Sequence, residues 1–465
     1  MSSILSQLDV LSAEIRATYR NYDYPWVIGY SGGKDSTATL QLVWHALRDL
    51  PAEELTNPIY VISTDTQVET PVITQRLGAT HAQMNAAAQE QGLPLSAHRL
   101  APVLNDSFWV NLIGRGYPAP NNAFRWCTER LKINPSNRFI LEQVAKHGEV
   151  ILVLGSRRDE SATRNQVLDM HQIKGHTLAR HGQLPGAWVF MPIEHFTTND
   201  VWTYLMQVDP PWGGDNLDLS SLYRSAQDGE CPLVVDDKTS SCGNSRFGCW
   251  VCTVVTRDRS MEAMIDSGED WMIPLLDYRD WLSKTLDPAV KPMQREFRGR
   301  DGRIKISESG KLRWRTYTLD FSKQMLRKLL EAQQEVQLDN PTEELISIDE
   351  LHEIRRLWLM ERQDWEDSLP QIYADVVGSK VEWVQNDGAM PGELEAEILT
   401  ALAGEHDVPL PLVQKLLDAE WQHYGMRRRA KIHKTINKVM SWDWRDRELV
   451  DEAIERRREA HEATA

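Results

Sequence analysis

The chain has no run of about 18 apolar residues, and its mean hydropathy is -0.46, so no membrane-spanning helix is expected. Met1 to Tyr22 lacks a basic region ahead of an apolar core; it reads as an amphipathic helix, and the expected location is cytoplasmic. Cysteine is scarce, with five residues in 465, four of them between 231 and 252. That count excludes a secreted disulfide scaffold and leaves metal ligands or a reactive thiol. Positive charge is in deficit: 52 Lys and Arg face 68 Asp and Glu, for a net -16. Such a balance argues against a general nucleic-acid coat but permits a local basic groove. Repeats, low-complexity tracts and the pattern GxxxxGK[ST] are all missing, so a solenoid and a Walker A site are not expected.

What is present is organised around Trp26 to Val43. An apolar run, Trp26 to Tyr30, reads as a buried strand, and Ser31-Gly32-Gly33-Lys34-Asp35-Ser36 follows at once. An amphipathic helix then begins, with Leu40, Val43, Trp44 and Leu47 near helical spacing. Strand, glycine turn and helix N-terminus together suit an anion: the glycines let backbone approach a phosphate, and N–H groups and helix dipole favour negative charge.

Further strands are expected at Pro58–Ser63, Leu93–Leu100, Ile151–Leu154 and Trp188–Met191, alternating with helices. This alternation predicts an α/β fold with a doubly wound parallel sheet. Ligands bind beyond the carboxyl ends of such strands, where the turns at Ser31, Asp65 and Arg157 fall. Three regions are expected: a nucleotide-binding domain over 1–210, a cysteine-rich and basic-loop region over 211–330, and a helical region over 331–465. The segment from Met261 to Leu282 reads as helical, and the acidic stretch from Glu331 to Glu366 as a solvated helix or linker.

SGGKDS resembles the pyrophosphate-binding loop of the ATP pyrophosphatase superfamily, whose members split ATP between the α- and β-phosphates and activate an oxygen by adenylation. TDTQVETP, RWCTERLKINP, LGSRRDES and MPIEHFTTNDVWTYL resemble segments of the phosphoadenylylsulfate and adenylylsulfate reductases. Over Thr177 to Leu282, TLARHGQLPGAW, WGGDNLDLSSLYRSAQDGECPLVVDD and SCGNSRFGCWVCTVV resemble the DndC proteins, the ATP-dependent sulfurtransferases of bacterial DNA phosphorothioation. The resemblance implies ATP, Mg2+ and a 4Fe-4S cluster as cofactors. It implies DNA, a cysteine desulfurase and other phosphorothioation subunits as partners, and replacement of a non-bridging DNA phosphate oxygen by sulfur.

On that reading Tyr30, Ser31, Gly32, Gly33, Lys34, Asp35 and Ser36 hold the nucleotide, with Asp65, Arg157 and Arg164. Lys132 is a further candidate for anionic oxygens. Lys34 and Asp35 are the catalytic candidates of the loop, and Asp35 and Asp65 the magnesium candidates. The alternatives are a phosphoadenylylsulfate or adenylylsulfate reductase-like enzyme, and a non-catalytic adaptor that binds ATP and DNA.

Cys231, Cys242, Cys249 and Cys252 are separated by ten, six and two residues, and Cys127 lies far upstream. One CxxC alone serves an iron–sulfur cluster, zinc or redox chemistry, and a zinc ribbon would want a second pair. The reductase resemblance implies Cys127, Cys249 and Cys252 as cluster ligands, with Cys231 or Cys242 as the fourth. Cys231 is preferred because proline follows it. Cys242, among small polar residues and Arg246, then becomes the catalytic thiol that carries a persulfide. Nucleic acid is expected to meet one of two basic clusters, Arg295 to Lys305 or Arg427 to Lys438, where Arg427, Lys431, Lys434 and Lys438 would share a helix face.

Overall fold

The structure is a computed structural model that describes residues 7–160, 177–225, 248–378, 381–383, 393–423 and 431–463. The chain divides into two compact units: Met1–Val103 with Asn122–Leu276, and Leu104–Asn121 with Asp277–Ala465. The expected boundary after 210 falls inside the first unit, and the one after 330 falls inside a helix of the second, Leu319–Asp339.

The first unit is built on six strands: β1 (Trp26–Gly29), β2 (Ile59–Thr64), β3 (Leu95–Leu100), β4 (Val150–Val153), β5 (Ala179–Arg180) and β6 (Ala187–Phe190). They lie in the order β3-β2-β1-β4-β6-β5, parallel except that β5 runs against β6. Among the helices that belong with them are α1 (Leu8–Asn21), α2 (Lys34–Arg48), α3 (Pro71–Glu90) and α4 (Asn134–His147). The expected doubly wound sheet is therefore present, with strand ends shifted by one or two residues. The edge strand β5 had no sequence signal, because two residues are too few to show alternation.

Alternation along β1 assigns the two faces. Trp26 and Ile28 pack with Ile15 and Tyr19 of α1, Val43 and Trp44 of α2, and Met84 of α3. Val27 turns the other way, toward Val150, Leu152 and Ile140 of α4. Helices thus cover both faces, as a buried parallel sheet requires. Each such apolar side chain contributes about 1.5–3 kcal/mol through burial. The order reverses between β1, flanked by β2, and β4, so a crevice opens between the carboxyl ends of β1 and β4.

The second unit is helical with a small hairpin. Its inserted segment, Leu104–Asn121, buries Phe108, Trp109, Val110, Leu112 and Ile113. Trp109 Nε1 donates to the Leu345 carbonyl (2.6 Å) and Trp358 Nε1 to the Ile113 carbonyl (3.1 Å). A Cβ on Gly114 would stand 2.9 Å from Leu357 Cδ1, so glycine permits that close packing. The acidic stretch 331–366 is not a linker or a merely solvated helix. It buries Ala332, Val336, Leu351, Ile354, Leu357 and Trp358 at helical spacing, and with them the carboxylates of Glu350 and Asp364, which are held by Ser347 and Lys323. The segment from Met261 to Leu282 is likewise two helices, Arg259–Asp266 and Ile273–Lys284, broken at Gly268 with φ +107. Among the described residues no helix is long and apolar enough to cross a membrane.

Candidate functional site

The loop after β1 is tied to itself before anything binds it. The Ser31 N–H donates to Ser36 Oγ (3.2 Å), and Ser36 Oγ donates to the Gly33 carbonyl (3.0 Å). Gly32 takes φ +73, which a side chain would resist. Gly33 is the N-cap of α2 and, having no side chain, supplies no cap, so first-turn N–H groups remain for an external anion. The Lys34 N–H donates to Tyr223 Oη (3.3 Å), and Lys34 Nζ lies 5.5 Å from the Tyr223 ring centre. Tyr30 is buried; its N–H donates to the Ile62 carbonyl (2.8 Å), and its own carbonyl accepts from Ser63 Oγ (2.6 Å). Ser63 Oγ in turn meets His81 Nε2 at 2.8 Å, which places the ring proton on that nitrogen. Burial, aided by Arg99 and His98, pulls the His81 pKa down to about 4, so this histidine is neutral.

The β4 end completes the crevice. Buried Arg157 donates from Nε to Asp35 Oδ1 (2.7 Å), while Asp35 Oδ2 accepts from Lys34 Nζ (2.9 Å). Arg157 also donates to the Phe196 carbonyl (3.3 Å) and to Thr198 Oγ1 (3.2 Å). Asp65 is engaged as Asp35 is, by Arg99 Nη2 (2.6 Å) and the Gln67 N–H (2.9 Å). Gly155 carries a requirement that its sequence context only hinted at. A Cβ there would stand 2.9 Å from the Asp35 carbonyl oxygen, so the loop after β4 lies directly on the first turn of α2.

A second corner is assembled from distant segments. The turn after β2 pairs with the CxxC segment: Glu69 bridges Cys249, the Trp250 N–H donates to the Val68 carbonyl (3.0 Å), and the Thr70 N–H donates to the Gly248 carbonyl (3.3 Å). Thr66 Oγ1 lies 3.2 Å from Cys249 Sγ. Cys127, Cys249 and Cys252 are half-buried and in no disulfide, and Cys252 acts electrostatically on both of the others. Burial pushes the Cys249 thiol up to about 12, with Lys132 acting against it. Lys132 Nζ is 3.5 Å from Glu69 Oε1. Burial lowers the Lys132 pKa, but Cys249 and Glu69 more than offset it and hold the ammonium above its ordinary value. Three of the expected cluster cysteines are thus brought together, although no group of three His, Cys, Asp or Glu among the described residues is arranged as a metal site. Cys231, Cys242 and Arg164 lie outside the described residues.

The loop borders a cavity of about 820 Å³ that Glu69 and Lys132 of the second corner also line. Tyr30 to Gly33, Asp35 and Ser36 line one part, and Glu69 and Lys132 another. Arg76 of α3 also lines it, and its charge reaches the Tyr30 hydroxyl. Sequence reasoning missed Arg76 and Tyr223. Arg76 sits in a helix that otherwise reads as amphipathic packing, and Tyr223 comes from the helix Leu217–Ser225, far along the chain.

Residues 25–255 match the phosphoadenosine phosphosulfate reductase domain. The match takes in just under half of the chain. An uncharacterised protein of Methanocaldococcus jannaschii is 27% identical to the chain over 238 residues, covering 51% of this chain and 38% of that protein. The match thus spans well under half the relative's length. Among solved structures, the U34-tRNA thiolase NcsA of Methanococcus maripaludis, determined with its 4Fe-4S cluster, aligns over 61% of this chain and 83% of its own at 14% identity, with TM-score 0.27. FMN adenylyltransferase of Candida glabrata, in complex with FMN and the ATP analogue AMPCPP, aligns over 49% and 64% at 15% identity, with TM-score 0.28. At those scores neither likeness bears on function. The matched span includes the loop, Asp65, Cys127, Arg157 and the CxxC.

The basic clusters named from sequence belong to the second unit, and the first of them divides. Arg295 is buried under the Tyr317 ring, Arg298 donates to the Asp443 and Arg445 carbonyls, and Arg300 donates to the Arg115 carbonyl. Arg303 and Lys305 are exposed. Lys431, Lys434 and Lys438 are exposed at and along the helix Ile432–Met440, while Arg427 lies outside the described residues.

Proposed function

We propose that the chain is an ATP-dependent sulfurtransferase that adenylates a DNA backbone phosphate and replaces a non-bridging oxygen by sulfur, as the DndC proteins do. The observation that carries this reading is the single cavity bordered by a phosphate-type loop on one side and by Lys132, beside two thiols, on the other. ATP lies with its β- and γ-phosphates over Ser31–Ser36. A DNA phosphate oxygen attacks the α-phosphorus, the bond to pyrophosphate breaks, and the loop N–H groups and Lys34 take up the charge of the leaving group. Arg157 keeps Asp35 turned into the loop. Sulfur then attacks the activated phosphorus, and AMP departs with the oxygen. If a persulfide delivers that sulfur, a second thiol breaks the S–S bond and is left in a disulfide.

Asp35 and Asp65 are already neutralised by Lys34, Arg157 and Arg99, so they suit water-mediated contact with the magnesium of the nucleotide rather than direct ligation. Cys127, Cys249 and Cys252 supply the thiolate donors that iron–sulfur clusters take, with the fourth ligand from Cys231 or Cys242. A cluster held there would supply sulfide or would tie the two cysteine segments together. A cysteine desulfurase and further modification subunits are the partners this chemistry needs.

The test supplies radiolabelled sulfur through a desulfurase to the anaerobically purified protein, with ATP, duplex DNA and transfer RNA. Label retained in nuclease-digested dinucleotides supports the proposal. Label appearing only in free sulfite or in RNA overturns it.

A further inference from the structure

The second unit holds a charge pattern that the sequence only half revealed. Residues 303–313 form an antiparallel hairpin, in which Ile306 bridges Leu312, the Arg313 N–H donates to the Lys305 carbonyl (2.9 Å) and the Ser307 N–H to the Lys311 carbonyl (2.9 Å). That register sets Lys305 directly opposite Arg313 and Ser307 opposite Lys311. Arg303, Lys305, Lys311 and Arg313 therefore share one face, and all four are exposed. Ile304, Ile306, Leu312 and Trp314 alternate onto the other face and are half-buried. That second face is seated on the unit's own helix, Arg447–Glu462. Arg447 lies 4.8 Å from the Trp314 ring centre, Arg457 donates to the Ile306 carbonyl, and a Cβ on Gly310 would reach 3.0 Å from the Ile454 carbonyl oxygen.

Like charges placed directly opposite across a strand pair destabilise it. Here Lys305 stands directly opposite Arg313, with Arg303 and Lys311 on the same face, and Asp301 and Glu308 are the acidic residues of the 301–315 stretch. In a chain of net charge -16 this concentration of cations needs a polyanion to face it. Successive exposed side chains along a strand are about 6.8 Å apart, a spacing comparable to that of phosphates along one nucleic-acid strand. No aromatic side chain occupies the cationic face, so stacking of unpaired bases has nothing to use.

We propose that the hairpin 303–313 is a docking ribbon for the phosphate backbone of duplex DNA, with Arg303, Lys305, Lys311 and Arg313 as its contacts. The choice of DNA among duplexes rests on the function proposed above. Contacts of this kind position a duplex without reading its sequence.

The test is the affinity of the full-length protein for a mixed-sequence duplex DNA, measured by fluorescence anisotropy across a range of salt. The variant Arg303→Gln/Lys305→Gln/Lys311→Gln/Arg313→Gln should bind with a log–log salt slope shallower by up to about 3.6, at about 0.9 per lost phosphate contact. Arg303→Lys/Arg313→Lys should keep the parent slope, because charge rather than shape is used. Lys146→Gln/Lys284→Gln, which removes exposed cations elsewhere, should also keep it. A change of less than about 0.9 in the quadruple variant overturns the proposal, as does tighter binding of duplex RNA than of duplex DNA. Pyrophosphate release measured on the same samples separates the two ideas: an unchanged salt slope in the quadruple variant, with ATP cleavage by the parent intact, refutes the ribbon alone, and a shallower slope in the variant with no ATP cleavage by the parent refutes the function alone.

Discussion

The two corners of the cavity are built in opposite ways. The loop corner is contiguous: six residues, Ser31 to Ser36, closed by hydrogen bonds among themselves and by the helix they start. The thiol corner is a junction of three segments, near residues 66–70, 127–132 and 248–252, joined by a few backbone bonds and one exposed ion pair. Local closure makes a site that sheet packing alone can hold in place. A junction of distant segments depends on each bond between them, and on whatever ties their side chains together.

Substitutions should separate the two corners. Lys34→Ala should lower pyrophosphate release by about 100- to 1000-fold, the range for removing a single charge-stabilising group. Its circular dichroism, melting temperature and iron content should match the parent. Cys252→Ser should do the converse, losing iron while its affinity for ATP stays within a factor of about two. Joint loss of both properties in either variant would break the comparison.

A pH titration probes the wall behind the loop. The His81 pKa is depressed to about 4 in the folded protein against an ordinary value of 6.5, so below pH 6.5 the unfolded chain binds the extra proton. Stability is then lost as pH falls from 6.5 toward 4, by about 3 kcal/mol over the whole window. Urea unfolding across that range should show the decline, and His81→Gln, which can still donate to Ser63, should flatten it.

Gly155→Ala places a methyl group against the backbone of Asp35. About 1–3 kcal/mol of stability should be lost through overpacking, together with part of the ATP cleavage. Both losses should be larger than for an alanine at Gly78, where a Cβ meets nothing within 4 Å and φ is not positive. Tyr223→Phe should have the smallest effect. It frees the Lys34 N–H from the phenol, and nucleotide affinity should rise by about fivefold at most, the worth of one neutral hydrogen bond. A fall in affinity would make the hydroxyl a nucleotide contact instead.

The same contrast explains what could be read in advance. Buried parallel strands announce themselves as apolar runs, so β1 to β4 and β6 were visible to within two residues, as was the loop between β1 and α2. Arg157 was visible as a residue at a strand end, but its pairing with Asp35 depends on β4 lying beside β1, which only topology supplies. The meeting of Cys127 with Cys249 and Cys252 came from a resemblance and not from spacing. The bridge from Glu69 to Cys249 joins residues far apart in sequence and leaves no periodic trace. The acidic helices misled for a related reason. Surface charge outnumbers the apolar stripe of Leu351, Ile354 and Trp358 that fixes their place. The hairpin was half legible because Arg295, Arg298 and Arg303 look alike in sequence and differ only in which way the strand turns them.

Pyrophosphate release from ATP, followed with duplex DNA and a sulfur donor present, tests the central claim most directly. The account predicts release by the parent protein, and none above background by Lys34→Ala with its fold intact. Equal release by both proteins, or none by the parent under these conditions, would contradict it.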